Sequence, residues 1–307
     1  MIQYYKTIDG RITPIESAES GAWIDLITPT EEEILEVSKR CGVETDFLKA
    51  ALDEEENSRI ESEDGVTLII IDTPIAIKED KEITYSTVPV GIITTDSNLI
   101  TVSLRENQII REFAGGFVKN IQTAHKTRFI FQILLRTSLR YLQYLRQIEK
   151  MSSHIERQVH KSIKNKELIQ LLALQKSLVY FNASLKADEV TIEKLMRGRI
   201  IKLYEEDQEL LEDVIIEFKQ AIEMAAIYSD VMASTTDAFA AVISNNLNII
   251  MKVMTSITIL LTIPNIIFGF YGMNVPDLPA PYAGVTIIVA VVAVLIAAII
   301  LWKKDLL

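Results

Sequence analysis

The chain has 307 residues, of which 49% are hydrophobic and 24% charged, with a net charge of -11. Both characters fit one chain only if they are segregated along it, and the acidic balance argues against a nucleic-acid partner. The length allows two ordinary domains. The single cysteine, Cys41, excludes an internal disulfide and agrees with a reducing compartment.

The N-terminus, "MIQYYKTIDGR", has no basic region leading into an apolar run, so no secretory signal is expected and the bulk of the chain should stay in the cytosol. Residues 1–123 alternate β-rich runs with turns. "GVTLIIIDTPIAI" from Gly65 and "EITYSTVPVGIITTDSNLITVSL" from Glu82 are the clearest strands. "TPTEEEILEVSKRCG" reads as a helix with Thr28 or Thr30 as N-cap and glutamates in its first turn. A mixed α/β domain is expected there.

The composition then changes. No proline lies between Pro89 and Pro264, and Gly198 is the only glycine from Phe117 to Phe268. Leu, Ile, Lys, Glu and Gln at helical spacing predict antiparallel long helices over 124–202, with breaks near Asn165 and around Arg197 to Lys202. A last helix starting near Leu203 is expected to run without a breaker to residue 270, roughly 100 Å at ~1.5 Å per residue. Such a stalk would transmit force between a cytosolic domain and a membrane; a coiled-coil stalk that only holds subunits together remains open.

Two apolar runs close the chain, Ile249 to Phe270 and Ala283 to Trp302. Each is about the ~20 residues that a membrane-spanning helix needs. Between Lys252 and Lys303 the only side-chain charge is Asp277. The hairpin therefore comprises the end of the stalk helix over 203–270, an outer loop over 271–282, a second span over 283–302 and a basic tail over 303–307. Lys252, Lys303 and Lys304 place both ends on the cytoplasmic side, since the loop has no Lys or Arg. Trp302 suits an anchor at the inner face, and Tyr271 or Tyr282 one at the outer face.

The second span is uniformly Val, Ile, Ala and Leu, suited to lipid. The first carries Asn248, Met251, Thr255, Thr258, Thr262, Asn265 and Gly269, spaced 3, 4, 3, 4, 3, 4, which is one face of a helix at heptad period. Small and hydroxyl residues on one stripe pack against other helices; several copies arranged in a ring would equally face them to water. Pro264 interrupts the helix hydrogen bonding, and Thr262 or Asn265 is placed to cover the freed carbonyl.

Known enzymatic signatures are missing. His125, His154 and His160 have no metal-ligand spacing, and no phosphate-binding loop, dinucleotide fingerprint or nucleophile elbow occurs. Neither an ATP-driven pump nor an enzyme is expected. The acidic runs Asp53 to Glu56, Glu61 to Asp64 and Glu205 to Glu209 read as solvated faces, with divalent-cation binding through oxygen as the sharper alternative.

"YGMN" at Tyr271 to Asn274, closing the first of two C-terminal spans, resembles the signature of the CorA-type magnesium transporters. "NIIMKVMT" at Asn248 to Thr255 is similar to that family's cytoplasmic pore mouth, and "WIDL" at Trp23 and "ALDEEENSRIE" at Ala51 to its N-terminal domain. The resemblance covers nearly the whole chain. It implies an α+β cytosolic domain followed by a long α-helical stalk and two C-terminal transmembrane helices, assembled as a homopentameric funnel in the cell membrane. In that arrangement the first span lines the pore, with Asn248, Met251, Met254, Thr255, Thr258, Thr262, Asn265 and Gly269 on it. Met251 and Met254 match an apolar constriction, and Gly272, Met273 and Asn274 form an outer filter.

The implied activity is potential-driven Mg²⁺ uptake, with Mg²⁺ both transported and regulatory and no organic cofactor. Asp213 matches a regulatory aspartate. Its expected partners read Lys49-Ala50 here, with Asp53 one turn on as the substitute. The alternatives are a relative tuned to Co²⁺, Ni²⁺ or Zn²⁺, or a membrane-anchored sensor or scaffold. Expected partners are further copies of the chain, membrane lipid and divalent ions.

Overall fold

A computed structural model describes residues 1–79, 82–159, 165–197, 200–273, 279, 282–304 and 306. The described chain divides into two compact units, Met1–Ser234 and Thr235–Leu307.

The first unit is α+β. Strands β1 (Ile2–Ile8), β2 (Arg11–Ile15), β3 (Trp23–Ile27), β4 (Arg59–Glu63), β5 (Val66–Glu79), β6 (Glu82–Thr94) and β7 (Leu99–Ser103) form one sheet in the order β2-β1-β3-β7-β6-β5-β4. All pairs are antiparallel except β3 with β7, which run parallel with Trp23 opposite Leu99. Strand residues alternate between the two faces. In β3, Ile24 and Leu26 enter a core with Ile34, Val37 and Leu48, from helices α1 (Glu31–Cys41) and α2 (Thr45–Ala50). Trp23 points the other way, stacked on Tyr5 with ring centroids 4.9 Å apart and edge-on to Phe129 at 5.2 Å. That face carries α3 (Gln108–Ala114), α4 (Lys126–Val159) and α5 (Asn165–Met196).

Helix termini follow local chemistry. Thr30 is the N-cap of α1, its hydroxyl accepting from the Glu33 N–H while the Glu33 carboxylate accepts from the Thr30 N–H. Thr28, the other expected cap, has a positive φ of 45° and gives its hydroxyl to the Leu104 carbonyl. Gly42 closes α1 in the left-handed region at φ 66°. Gly91 in β6 marks a close approach: a Cβ there would lie 2.8 Å from the Ala51 Cβ.

The last long helix starts later than the Leu203 its composition predicts. Tyr204 is extended, Glu205–Asp207 form a 3₁₀ turn, and α6 spans Gln208–Tyr271. The delay has a cause in side-chain ties to α4: Thr127 donates to the Lys202 carbonyl at 2.9 Å, and Arg128 pairs with Asp207 at 2.9 Å. In the second unit, the continuing α6 and α7 (Ala283–Lys303) are both long and apolar enough to cross a membrane.

Among the described residues three acids of the first unit are buried: Asp207, paired with Arg128 rather than lying on the solvated face its acidic run suggests, and Asp25 and Asp188 in the core. Asp25 in β3 accepts a hydrogen bond from the Thr101 hydroxyl at 2.7 Å, and Thr101 accepts from the Trp23 indole at 2.8 Å. Burial pushes the Asp25 carboxyl up to about 7. Asp188 in α5 accepts at one oxygen from the Ser58 hydroxyl at 2.7 Å and the Asp72 N–H at 2.9 Å, while its other oxygen is unpartnered. Burial first, and the Asp72 charge second, raise Asp188 well above the ordinary carboxylate range.

For Asp25 the native state holds its proton more tightly than the unfolded chain. Stability is therefore full below pH ~4 and falls as the pH rises through about 7. At ~1.4 kcal/mol per pH unit the loss over that window is on the order of 4 kcal/mol. Unfolding of the detergent-solubilised protein at pH 5 and pH 8 should show the difference, and Asp25→Asn should remove a large part of it.

Candidate functional site

The section of α6 from Asn248 to Tyr271 decides what the hairpin can do. Pro264 sits inside this helix and lacks the N–H that would bond the Leu260 carbonyl. Thr262 does not cover that carbonyl, because its hydroxyl reaches four residues back and donates to Thr258 at 2.7 Å. A β-branched hydroxyl in a helix bonds the i−4 carbonyl, and Leu260 lies only two back. Thr255 and Thr258 do likewise, donating to Met251 at 2.7 Å and Met254 at 2.8 Å.

Those bonds give the stripe a definite chemistry. Each threonine has spent its one donor on its own helix, so toward solvent its oxygen offers only lone pairs. Thr255, Thr258, Thr262, Asn265 and Gly269 are all exposed, as are Asn248, Met251 and Met254 at the N-terminal end of this section. A Cβ at Gly269 would touch nothing within 4 Å, so packing within the chain does not require a glycine there.

The other side of the same helix is covered. Ser256 is buried and donates to the Leu306 carbonyl at 2.5 Å, and Leu260, Ile263, Pro264, Ile267 and Tyr271 are partly shielded. On α7 the shielded positions include Thr286, Ala290, Ala293, Ala297 and Leu301, mostly small residues of the kind that let helices approach closely. At about 100° per residue the covered face of α6 and the polar stripe lie on roughly opposite sides. The stripe is not used for packing against α7.

At its C-terminal end the helix tightens. The Gly272 N–H bonds the Phe268 carbonyl at 2.8 Å and the Met273 N–H reaches Phe270 at 3.4 Å. A Cβ on Gly272 would lie 3.1 Å from the Phe268 carbonyl oxygen, which gives the glycine a steric reason. Met273 is exposed. Asn274 and Asp277 lie outside the described residues, as does His160.

Neither candidate regulatory acid belongs to a group of three metal-ligating side chains among the described residues. Asp213 is exposed on α6. Asp53 is exposed too, and its carboxylate accepts the Glu55 N–H at 3.0 Å. Lys49 is paired with Glu31 at 2.7 Å. Among the described residues no three His, Cys, Asp or Glu side chains are grouped to hold a metal ion.

The family model described as CorA-like Mg²⁺ transporter protein matches residues 18–304. The chain belongs to the CorA family. It is similar to the cobalt/magnesium transport protein CorA of Methanocaldococcus jannaschii, at 29% identity over 266 residues, 84% of this chain and 81% of that protein. The complete structure of the CorA magnesium transporter from that organism superposes with a TM-score of 0.81 at 26% identity, covering 99% of this chain and 98% of the other. The ZntB cytoplasmic domain of Vibrio parahaemolyticus, at 14% identity, shares the fold of the first unit with a TM-score of 0.63 over 79% of this chain and 98% of that one.

Within this CorA-family chain, sequence reasoning missed three polar residues. Ser256 anchors the end of the chain to α6 and differs from the stripe threonines only in facing α7. Asp25 and Asp188 are buried acids; the visible signal for Asp25 was a carboxylate in the middle of the apolar strand "WIDLI".

Proposed function

We propose that the chain assembles as a homopentamer around its α6 stripes and conducts hydrated Mg²⁺ into the cell down the membrane potential. The observation that carries this is the row of threonine oxygens on the side of α6 away from α7, each with its donor spent on its own helix. Water bound to Mg²⁺ turns a lone pair to the metal and both hydrogens outward, so it acts chiefly as a donor, and Mg²⁺ gives up such water reluctantly. Five stripes of acceptor oxygens hold that shell without stripping it.

In this reading Asn274, with Gly272 and Met273, forms the outer selectivity ring, where the C-terminal end of α6 adds partial negative charge. Met251 and Met254 form the apolar constriction, with Asn248 at the inner mouth. The chain domains follow the same plan: 1–123 and 124–202 in the cytosol, 203–270 from stalk to first span, 271–282 outside, 283–302 in lipid, and a cytoplasmic tail at 303–307. Both termini then face the cytoplasm. The activity is transport rather than enzymatic catalysis. The brake implied by the family, Mg²⁺ held between subunits at Asp213 and Asp53, is proposed only in its inter-subunit form, since no group of three metal-ligating side chains occurs among the described residues of one chain.

An inside-negative potential of ~100 mV favours a divalent ion by roughly 4.6 kcal/mol, about a thousandfold accumulation. Proteoliposomes with a potassium gradient test this directly. Mg²⁺ uptake should rise when valinomycin sets the interior negative and fall when the gradient is reversed. Uptake indifferent to the potential would count against a channel. A Co²⁺, Ni²⁺ or Zn²⁺ transporter is separated by running the same assay with those ions.

A further inference from the structure

The two apolar runs hold five serine and threonine hydroxyls. Four of them bond within their own helix: Thr255, Thr258 and Thr262 as described above, and Thr286 of α7, which donates to the Tyr282 carbonyl at 3.3 Å. Ser256 is the exception. Its hydroxyl crosses to the tail and donates at 2.5 Å to the carbonyl of Leu306, 50 residues on. Ser256 is 1% exposed, so this bond lies inside the contact and not on its rim.

The tail itself holds the acceptor in place. Helix α7 ends at Lys303, and the Leu306 N–H turns back to bond the Leu301 carbonyl at 3.1 Å. This is the six-to-one bond that closes many helices, and it fixes the residue whose carbonyl Ser256 reaches. A back-bonding threonine ties only its own turn. Ser256 ties two segments of the chain together.

Position gives the tie a direction. At about 100° per residue, Met254 and Met251 lie roughly 160° and 140° round α6 from Ser256. A pull at Ser256 therefore draws this part of α6 toward α7 and the tail, away from the side that carries both methionines and the threonine stripe. We infer that Ser256 is a positioning residue for the ion path: its bond to the Leu306 carbonyl is a latch that holds the Met251 and Met254 constriction back from the axis. The inference rests on the pentameric Mg²⁺ channel proposed above and adds how each subunit's own tail favours the open path. One hydrogen bond between membrane helices shifts a balance of two arrangements about threefold. Five latches on one shared opening compound to on the order of a hundredfold.

Mg²⁺ uptake by proteoliposomes at a fixed inside-negative potential tests it, with particle size measured on the same preparations. Ser256→Ala should lower uptake at least tenfold with the assembly unchanged in size. Leu306→Pro removes the N–H that turns the tail back and should do the same, whereas Leu306→Ala keeps the N–H and should not. Ser256→Ala combined with Leu306→Pro should be no worse than either alone, because both break one tie. In a Cys41→Ser background, Ser256→Cys with Leu306→Cys can replace the hydrogen bond by a disulfide within one subunit. Oxidised, that variant should take up Mg²⁺ like the unmodified protein; reduced, it should fall to the level of Ser256→Ala. A loss through poor packing alone would not follow the redox state. Unchanged uptake by Ser256→Ala, losses that multiply in the combined variant, or no disulfide within a subunit would each overturn the latch. No uptake by the unmodified protein sinks the channel reading and the latch's role with it, while the disulfide still reports the contact.

Discussion

Replacing Thr262 by lysine is expected to abolish Mg²⁺ uptake while leaving the assembly intact. Thr262 is exposed on the side of α6 away from α7, so a longer side chain there meets none of the contacts within the hairpin. If five stripes surround a water-filled path, the variant places five ammonium groups in it. A single ammonium about 6 Å from a divalent ion, at an effective dielectric constant of ~20, opposes it by roughly 5 kcal/mol. That alone is several thousandfold in occupancy, and four more lysines add to it. Thr262→Ser keeps an oxygen and should retain uptake. Flux and particle size measured on the same preparation decide the matter. Near-normal uptake by an assembled lysine variant would mean that the stripe does not face the ion.

The second large effect concerns stability. Asp188→Ala should cost about 3 kcal/mol, because the Ser58 hydroxyl and the buried Asp72 N–H both lose their acceptor, at ~1–3 kcal/mol for each group left unsatisfied. For a part of this size that is roughly a 10 °C drop in the unfolding midpoint. Asp188→Asn keeps an acceptor oxygen toward both donors and should leave the midpoint close to that of the unmodified protein. Because burial raises the Asp188 carboxyl, its proton stabilises the native state at low pH, and that stability fades as the pH rises toward its folded value. The Asn variant should therefore flatten the pH dependence in the same direction as Asp25→Asn. An Ala variant as stable as the Asn variant would show that the Ser58 and Asp72 bonds contribute little.

Much of this was legible in the chain because the patterns are one-dimensional. A helix with polar residues every three or four positions in an otherwise apolar run must carry them on one face, whatever surrounds it. The change from β-rich to proline-free, glycine-poor sequence likewise marks where sheet gives way to long helices. The side on which α7 lies was not legible, because Ser256 and Thr255 are adjacent and chemically alike, yet face just over a quarter-turn apart. The choice between Thr28 and Thr30 as the cap of α1 also depended on tertiary contact, through the Leu104 carbonyl that takes the Thr28 hydroxyl. The sheet order, with β3 and β7 joined in parallel at its centre, is a long-range property that no local pattern states. Buried carboxylates such as Asp25 and Asp188 are invisible for the same reason: their environment comes from residues far off in sequence.

The most direct test of the proposed ion path is Mg²⁺ uptake by proteoliposomes at an imposed inside-negative potential, with Asn274→Ala measured beside the unmodified protein. Five lost acceptors at ~1 kcal/mol each predict a fall of at least a hundredfold in Mg²⁺ uptake, with the oligomer unchanged in size. Equal uptake by both proteins would contradict a filter at the Gly-Met-Asn sequence. No uptake by correctly assembled unmodified protein at low internal Mg²⁺ would contradict Mg²⁺ conduction altogether.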